Sequence, residues 1–126
     1  EQIFVWSGCP IHYWPAGSED APLILFTHGA AMDHRMFTAQ VEALANRHRL
    51  LWWDVPGHGR SRPLASQYSV QFAAEALFAL LDHVGIEQAI LVGHSMGGYI
   101  SQEFLFRFPD QVVALVTIGS SCTRGN

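Results

Sequence analysis

"LVGHSMGGYI", residues 91–100, sets a serine between glycines, directly after an apolar run and directly before a helical pattern. Gly93, His94, Ser95, Met96 and Gly97 spell G-x-S-x-G. A serine that attacks a carbonyl has to stand clear of the sheet, which places it on a sharp strand-to-helix turn whose flanks admit only very small residues. Gly93 and Gly97 supply that space, and Gly98 lets the helix pack close to the strands. The motif alone is short enough to arise by chance, so its meaning depends on what lies to either side.

Both sides read as required. "LILF" (23–26), "LLWWDV" (50–55), "AILVG" (89–93) and "VVALVTIG" (112–119) are continuous apolar runs of strand length, the pattern of parallel strands covered on both faces. Between them lie helical periodicities. Residues 36–46 align Phe37, Val41, Leu44 and Ala45. Residues 70–84 align Val70, Ala73, Ala74, Leu77, Leu81 and Val84, with Ser69 as N-cap and Gly85 as stop. Residues 96–108 align Ile100, Phe104 and Phe108 before Pro109 bars continuation. These stripes are core faces. Ahead of them, "QIFVWS" and "IHYWP" within residues 2–15 predict an antiparallel hairpin at a sheet edge, joined through Gly8, Cys9 and Pro10. The alternation of strand and helix predicts an α/β fold, a mostly parallel sheet with helices on both faces and an N-terminal antiparallel edge hairpin.

Composition narrows the function. The 126 residues are one domain's worth, with no repeats or linkers, and only 14% are charged while 49% are hydrophobic, the balance of a slice of a larger core. The formal net charge is −4 and there is no lysine, so no basic stripe exists for a phosphate backbone and nucleic acid is excluded as a partner. A P-loop needs a lysine, no G-x-G-x-x-G follows a strand, and the histidines lack metal-ligand spacing such as H-E-x-x-H. No cofactor and no metal are therefore expected. No apolar run reaches the ~18 residues of a membrane span, and residues 1–8 lack a basic n-region followed by an apolar stretch. Cys9 and Cys122 stand far apart without a C-x-x-C pairing and read as free thiols. A cytoplasmic protein is the expectation.

Two further segments carry chemistry. His28 and Gly29 close an apolar strand at the same end of the sheet as Ser95, because parallel strands present their C-terminal ends together. A tetrahedral oxyanion needs two backbone N–H donors aimed at one point, one from the residue after the nucleophile and one from the loop after this earlier strand. Met96 and Ala30 are the candidates. In "WWDVPGHGRSRP" (52–63), Asp54 ends a strand, and Pro56, Gly57 and Gly59 force a tight loop that Ser61 and Arg62 can brace. Asp54 reads as a loop-orienting carboxylate and His58 as structural or solvent-facing. His28 and His34 read as loop support or pocket lining.

"HGAAMDHRMF" (28–37), "DVPGHGRSRP" (54–63) and "LVGHSMGG" (91–98), in this order and spacing, resemble the N-terminal half of a serine α/β-hydrolase-fold enzyme, through its sixth strand. The resemblance implies Ser95 as nucleophile, Ala30 and Met96 as oxyanion donors, and His28, Gly29, Asp54, Gly57, Gly59, Gly93 and Gly97 as the structural motif. A serine at the elbow sets aside the family's aspartate-nucleophile members, the dehalogenases and epoxide hydrolases.

The family order is serine, acid, histidine. After Ser95 the sequence holds Glu103 and Asp110 but no histidine, and the stretch after the sixth predicted strand, where some members carry the acid, reads Gly119, Ser120, Ser121, Cys122, Thr123. His94 adjoins the serine, but neighbours at an elbow point different ways. Residues 1–126 are thus expected to be the N-terminal portion of a single hydrolase core, with cap, acid and histidine in a C-terminal portion of the same protein. The expected activity is hydrolysis of an ester, thioester, lactone or activated carbon–carbon bond in a small-molecule acyl substrate. The alternative is a truncated or split hydrolase-like module that binds a partner through its open sheet edge without turnover.

Overall fold

The sheet of the computed structural model, which describes residues 1–64 and 67–120, has six strands in the order β1-β2-β4-β3-β5-β6. They are β1 (Gln2–Trp6), β2 (Cys9–Gly17), β3 (Leu23–Thr27), β4 (Arg49–Trp53), β5 (Ala89–His94) and β6 (Val112–Ile118). β3, β4, β5 and β6 run parallel to one another, while β2 is antiparallel to both β1 and β4. The mixed sheet with an antiparallel N-terminal hairpin is the expected architecture.

Strand periodicity builds two cores. Leu23, Leu25, Leu51, Trp53, Ala89 and Leu91 face one side, where they meet helix α2 (Val70–His83) and helix α3 (Met96–Arg107). Ile24, Phe26, Leu50, Trp52 and Val92 face the other, where helix α1 (Thr38–Leu44) and the 3-10 turn His34–Phe37 cover them through Met36, Phe37, Val41 and Leu44. Alternate residues of each central strand thus go to opposite faces, and both faces are apolar because both carry helices. The Ser69 hydroxyl accepts the Phe72 N–H at 2.9 Å and caps α2, and Gly85 past its end lies at φ 74°. The helix expected over 36–46 divides, because Asp33 caps a 3-10 turn before α1 begins.

The hairpin differs from its sequence reading. Its turn is Ser7–Gly8, both at positive φ (51° and 78°) as in the primed two-residue hairpin turns. Cys9 and Pro10 open β2 instead of joining it to β1. β2 pairs with β1 over Cys9 to Tyr13 and with β4 over Tyr13 to Gly17. Pro10 and Pro15 therefore each sit where β2 has a partner on one side, which spares a ladder bond their missing N–H would break.

β6 differs too. Its apolar run predicts burial, yet Val113, Val116 and Ile118 are 58%, 47% and 51% exposed, since among the described residues it is an edge strand flanked by β5 alone. Cys9 is a buried free thiol, whereas Cys122 lies outside the described residues. Among the described residues no helix is long and apolar enough to cross a membrane.

Candidate active site

Ser95 is the one residue between β5 and α3, and its backbone sits at φ 52°, ψ −113°. That combination lies outside the regions L-residues populate and costs on the order of 1–3 kcal/mol. The flanking glycines show how the chain fits there. A Cβ on Gly93 would lie 2.6 Å from the Gly98 N, and one on Gly97 would lie 2.6 Å from the His28 carbonyl oxygen. Both obstacles are backbone and cannot swing aside. The Ser95 N–H donates to the Ile118 C=O at 2.8 Å, and the Ser95 C=O accepts the Gly98 N–H at 2.9 Å. Met96 opens α3, so its N–H belongs to a first turn that has no intrahelical acceptors.

The β3–β5 register sets Thr27 level with Gly93, so His28 and Gly29 continue beside the elbow. His28 is fully buried, with its Nδ1 2.8 Å from the Gly29 C=O and its Nε2 3.0 Å from the Val55 N. Those partners assign the tautomer: Nδ1–H donates, and Nε2 accepts the Val55 N–H. Burial pushes the His28 pKa down and favours that neutral ring. The Gly29 C=O also accepts the Met32 N–H at 3.1 Å, closing a turn with Ala30 and Ala31 at its corners and Ala31 at φ 60°. A Cβ on Gly29 would lie 2.9 Å from the His94 Nδ1, a buried ring nitrogen without a partner among the described residues. The Ala30 turn thus lies against the residue preceding Ser95.

Asp54 lies just past β4 and is fully buried. Its carboxylate accepts the His34 N–H at 2.7 Å, the His34 Nδ1 at 3.0 Å and the Arg60 N–H at 2.9 Å. It therefore ties the turn after β3 to the loop after β4. In that loop the Gly57 N–H donates to the Ser61 C=O at 2.8 Å, and the Ser61 hydroxyl accepts the His12 N–H at 2.9 Å. Gly59 sits at φ 50°, where a Cβ would come within 2.7 Å of the Asp54 Oδ1. The His58 ring lies between those of His28 (5.3 Å) and Tyr68 (5.7 Å), and burial pushes Tyr68 up to about 12.

A model of the alpha/beta hydrolase fold matches residues 22–125. The chain belongs to that family. It is 35% identical over 102 residues to the pimeloyl-[acyl-carrier protein] methyl ester esterase of Aeromonas hydrophila, covering 79% of this chain and 38% of that protein. It is 33% identical over 103 residues to the magnesium-chelatase 30 kDa subunit of Rhodobacter capsulatus, covering 79% and 36%. The crystal structure of a hydrolase from Pseudomonas aeruginosa superposes with a TM-score of 0.91 at 27% identity, over 98% of this chain and 47% of that one. The chain spans less than two fifths of the length of either sequence relative.

Two features of this alpha/beta hydrolase escaped the sequence reading. The first is the pairing of His34 with Asp54, whose ring stacks on Trp14 with centroids 3.7 Å apart. Twenty residues separate the pair, and only the parallel pairing of β3 with β4 brings them together. Asp33, His34 and Asp54 group metal-type donors within 4.8 Å of one another. Yet Asp54 is engaged by three N–H groups, and Asp33 is held by Arg35 at 2.7 Å, which draws its pKa down to about 2. The second is the hydroxyl of Ser120, which donates to the Ser95 C=O at 2.7 Å. No spacing rule links a residue past β6 to the elbow.

The remaining candidates stand elsewhere. Asp110 lies in the turn past the far end of α3, about 18 Å along a twelve-residue helix from Ser95. Glu103 is largely buried on α3. Burial pushes the Cys9 thiol up, and its Sγ donates to the Ser61 C=O at 3.4 Å, so it is a structural thiol rather than a nucleophile.

Proposed function

We infer that Ser95 is the nucleophile of an acyl hydrolase, acting through an acyl-enzyme on an ester, thioester, lactone or activated carbon–carbon substrate. The observation that carries this is the strained backbone of Ser95 at the junction of β5 and α3. A non-glycine residue persists in such a conformation where surrounding structure over-determines it, and such residues cluster at active sites.

In this reading Ser95 Oγ adds to the acyl carbonyl and loses its proton to a base. The N–H groups of Met96 and Ala30 receive the negative charge that develops on the carbonyl oxygen, where fixed donors are worth the most. Collapse expels the leaving group, which takes the proton back from the base. Water then adds to the acyl-enzyme by the same route and frees Ser95. A serine hydroxyl is a weak nucleophile at its free pKa and needs a base, which the hydrolase resemblance makes a histidine held by a carboxylate. His28 is committed to Gly29 and Val55, His34 is committed to Asp54, and no histidine follows Ser95 in the sequence. Following the family order of serine, acid and histidine, we assign the acid and the base to residues of the protein outside this chain.

The test uses the full-length protein with a fluorophosphonate probe and a p-nitrophenyl ester. Ser95→Ala abolishes labelling and lowers kcat/KM by roughly 10⁴-fold or more. Turnover unchanged by that substitution refutes the assignment. A second reading, a partner-binding module without turnover, rests on the exposed Val113, Val116 and Ile118 of β6. It requires a wild-type protein that folds yet neither labels nor turns over.

A further inference from the structure

The end of β6 grips Ser95 on both sides of its Cα. The Ser95 N–H donates to the Ile118 C=O at 2.8 Å, and the Ser95 C=O accepts the Ser120 hydroxyl at 2.7 Å. The register makes this possible, since β5 and β6 are parallel and His94 is level with Ile118. The packing leaves room for it. A Cβ on Gly98 would lie 2.7 Å from the Ser120 Cβ, so the first turn of α3 is open on the side where Ser120 stands.

We propose that Ser120 is a positioning residue for Ser95: its hydroxyl anchors the Ser95 carbonyl to the end of β6 and so fixes the backbone angles that aim the Ser95 Oγ. The proposal rests on the reading of Ser95 as nucleophile. The hydrogen bond from the Ser95 N–H to the Ile118 C=O restrains rotation on the N-terminal side of Ser95, the φ side. The carbonyl bond to Ser120 restrains the ψ side. Gly98 and Tyr99 also donate to that carbonyl, at 2.9 and 3.3 Å, but both belong to α3 and move with it. Among the described residues, Ser120 ties the carbonyl to the strand side of the elbow. At φ 52°, ψ −113° the elbow relaxes wherever it is released, because strain persists only under restraint from several directions. A shift well under 1 Å at a reacting atom is enough to slow attack, whereas binding of the acyl group senses it little.

The experiment measures fluorophosphonate labelling rates and steady-state hydrolysis of p-nitrophenyl butyrate by the full-length protein, with Tm alongside. Ser120→Ala slows labelling and lowers kcat about tenfold while leaving KM within about twofold. Tm changes little, because the Ser95 carbonyl keeps its bond from Gly98. Ser120→Thr, which retains the hydroxyl, returns the rate to near the wild-type value. Equal labelling of Ser120→Ala and wild type overturns the proposal, and so does a Thr variant as slow as the Ala variant. Should Ser120→Ala not fold, Ser120→Gly also removes the donor to the Ser95 carbonyl, and wild-type labelling of that variant is equally fatal. A wild-type protein that does not label at all refutes the nucleophile itself, a result distinct from fast labelling of both forms.

Discussion

Replacing Asp54 by asparagine removes a charge and one acceptor oxygen while keeping shape. The two carboxylate oxygens divide their donors: Oδ1 takes the His34 N–H at 2.7 Å and Nδ1 at 3.0 Å, and Oδ2 takes the Arg60 N–H at 2.9 Å with His34 Nδ1 at 3.1 Å. An amide offers one oxygen. Whichever way it turns, its NH2 faces a backbone N–H in a site without solvent, an unpaired donor that costs about 1–3 kcal/mol. The surviving bonds drop from charge-assisted to neutral strength, about 1 kcal/mol more. An amide is easier to bury than a carboxylate, which trims the total to about 2–3 kcal/mol. With a urea m-value of about 2 kcal/mol/M, the unfolding midpoint of Asp54→Asn falls by about 1 M or more. His34→Phe keeps a ring on Trp14 and both backbone donors on the carboxylate, so it costs about half as much. Urea titrations followed by tryptophan fluorescence measure both. A midpoint within about 0.3 M of wild type refutes the view of Asp54 as the tie between the two loops. A variant that is as stable as wild type but fails to label at Ser95 moves Asp54 from the scaffold into the chemistry.

Two further outcomes test the surrounding structure. Gly97→Ala drives a Cβ to within 2.6 Å of the His28 carbonyl oxygen, and because that obstacle is backbone the helix or the β3 loop must shift. The expected loss is about 1–3 kcal/mol of stability together with slower probe labelling, read by Tm and labelling rate, and wild-type values for both refute the close approach. For His28 the sign follows from burial, which lowers its pKa below the unfolded value. The folded state then binds fewer protons than the unfolded one, so stability is full above about pH 6.5 and declines as the pH falls below it. His28→Gln removes that part of the slope between pH 7 and 5 in urea titrations, and an unchanged slope assigns it to another group.

The sheet was legible because the apolar runs of β3, β4 and β5 are too short and too continuous to be anything but doubly covered strands. β6 carries the same signature, and here composition misled. An apolar run reports what a strand is suited to lie beside, not what does lie beside it among the described residues. The hairpin turn was drawn too late, ending two residues beyond Gly8, because Gly8, Cys9 and Pro10 look like breakers. Pairing decided otherwise, by giving β2 a partner on one side at each proline. Ser95 and its glycines were legible because the demand for space at an elbow is local. The His34–Asp54 and Ser120–Ser95 bonds were not, because each joins segments that only the sheet order makes neighbours. Reading them needs the strand order first and the side chains second.

That order also lets the strained residue be braced where it sits. Ser95 follows β5, which lies between β3 and β6, so its elbow can be braced from both sides at once. From β3, the His28 carbonyl stands against Gly97 and forbids the helix any side chain there. From β6, Ile118 and Ser120 hold the two ends of the Ser95 residue itself. An elbow after β4 would also have two neighbours, β2 and β3, but β2 is antiparallel and brings its N-terminal half to that end. The loop there is instead closed on itself around Asp54. Among the described strands, β5, like β3, has parallel neighbours on both sides, and at β5 their C-terminal ends share the restraint of a conformation costing about 1–3 kcal/mol. With Ser95 as the proposed nucleophile, release of either side is expected to show first in its labelling rate and only afterwards in the stability of the fold.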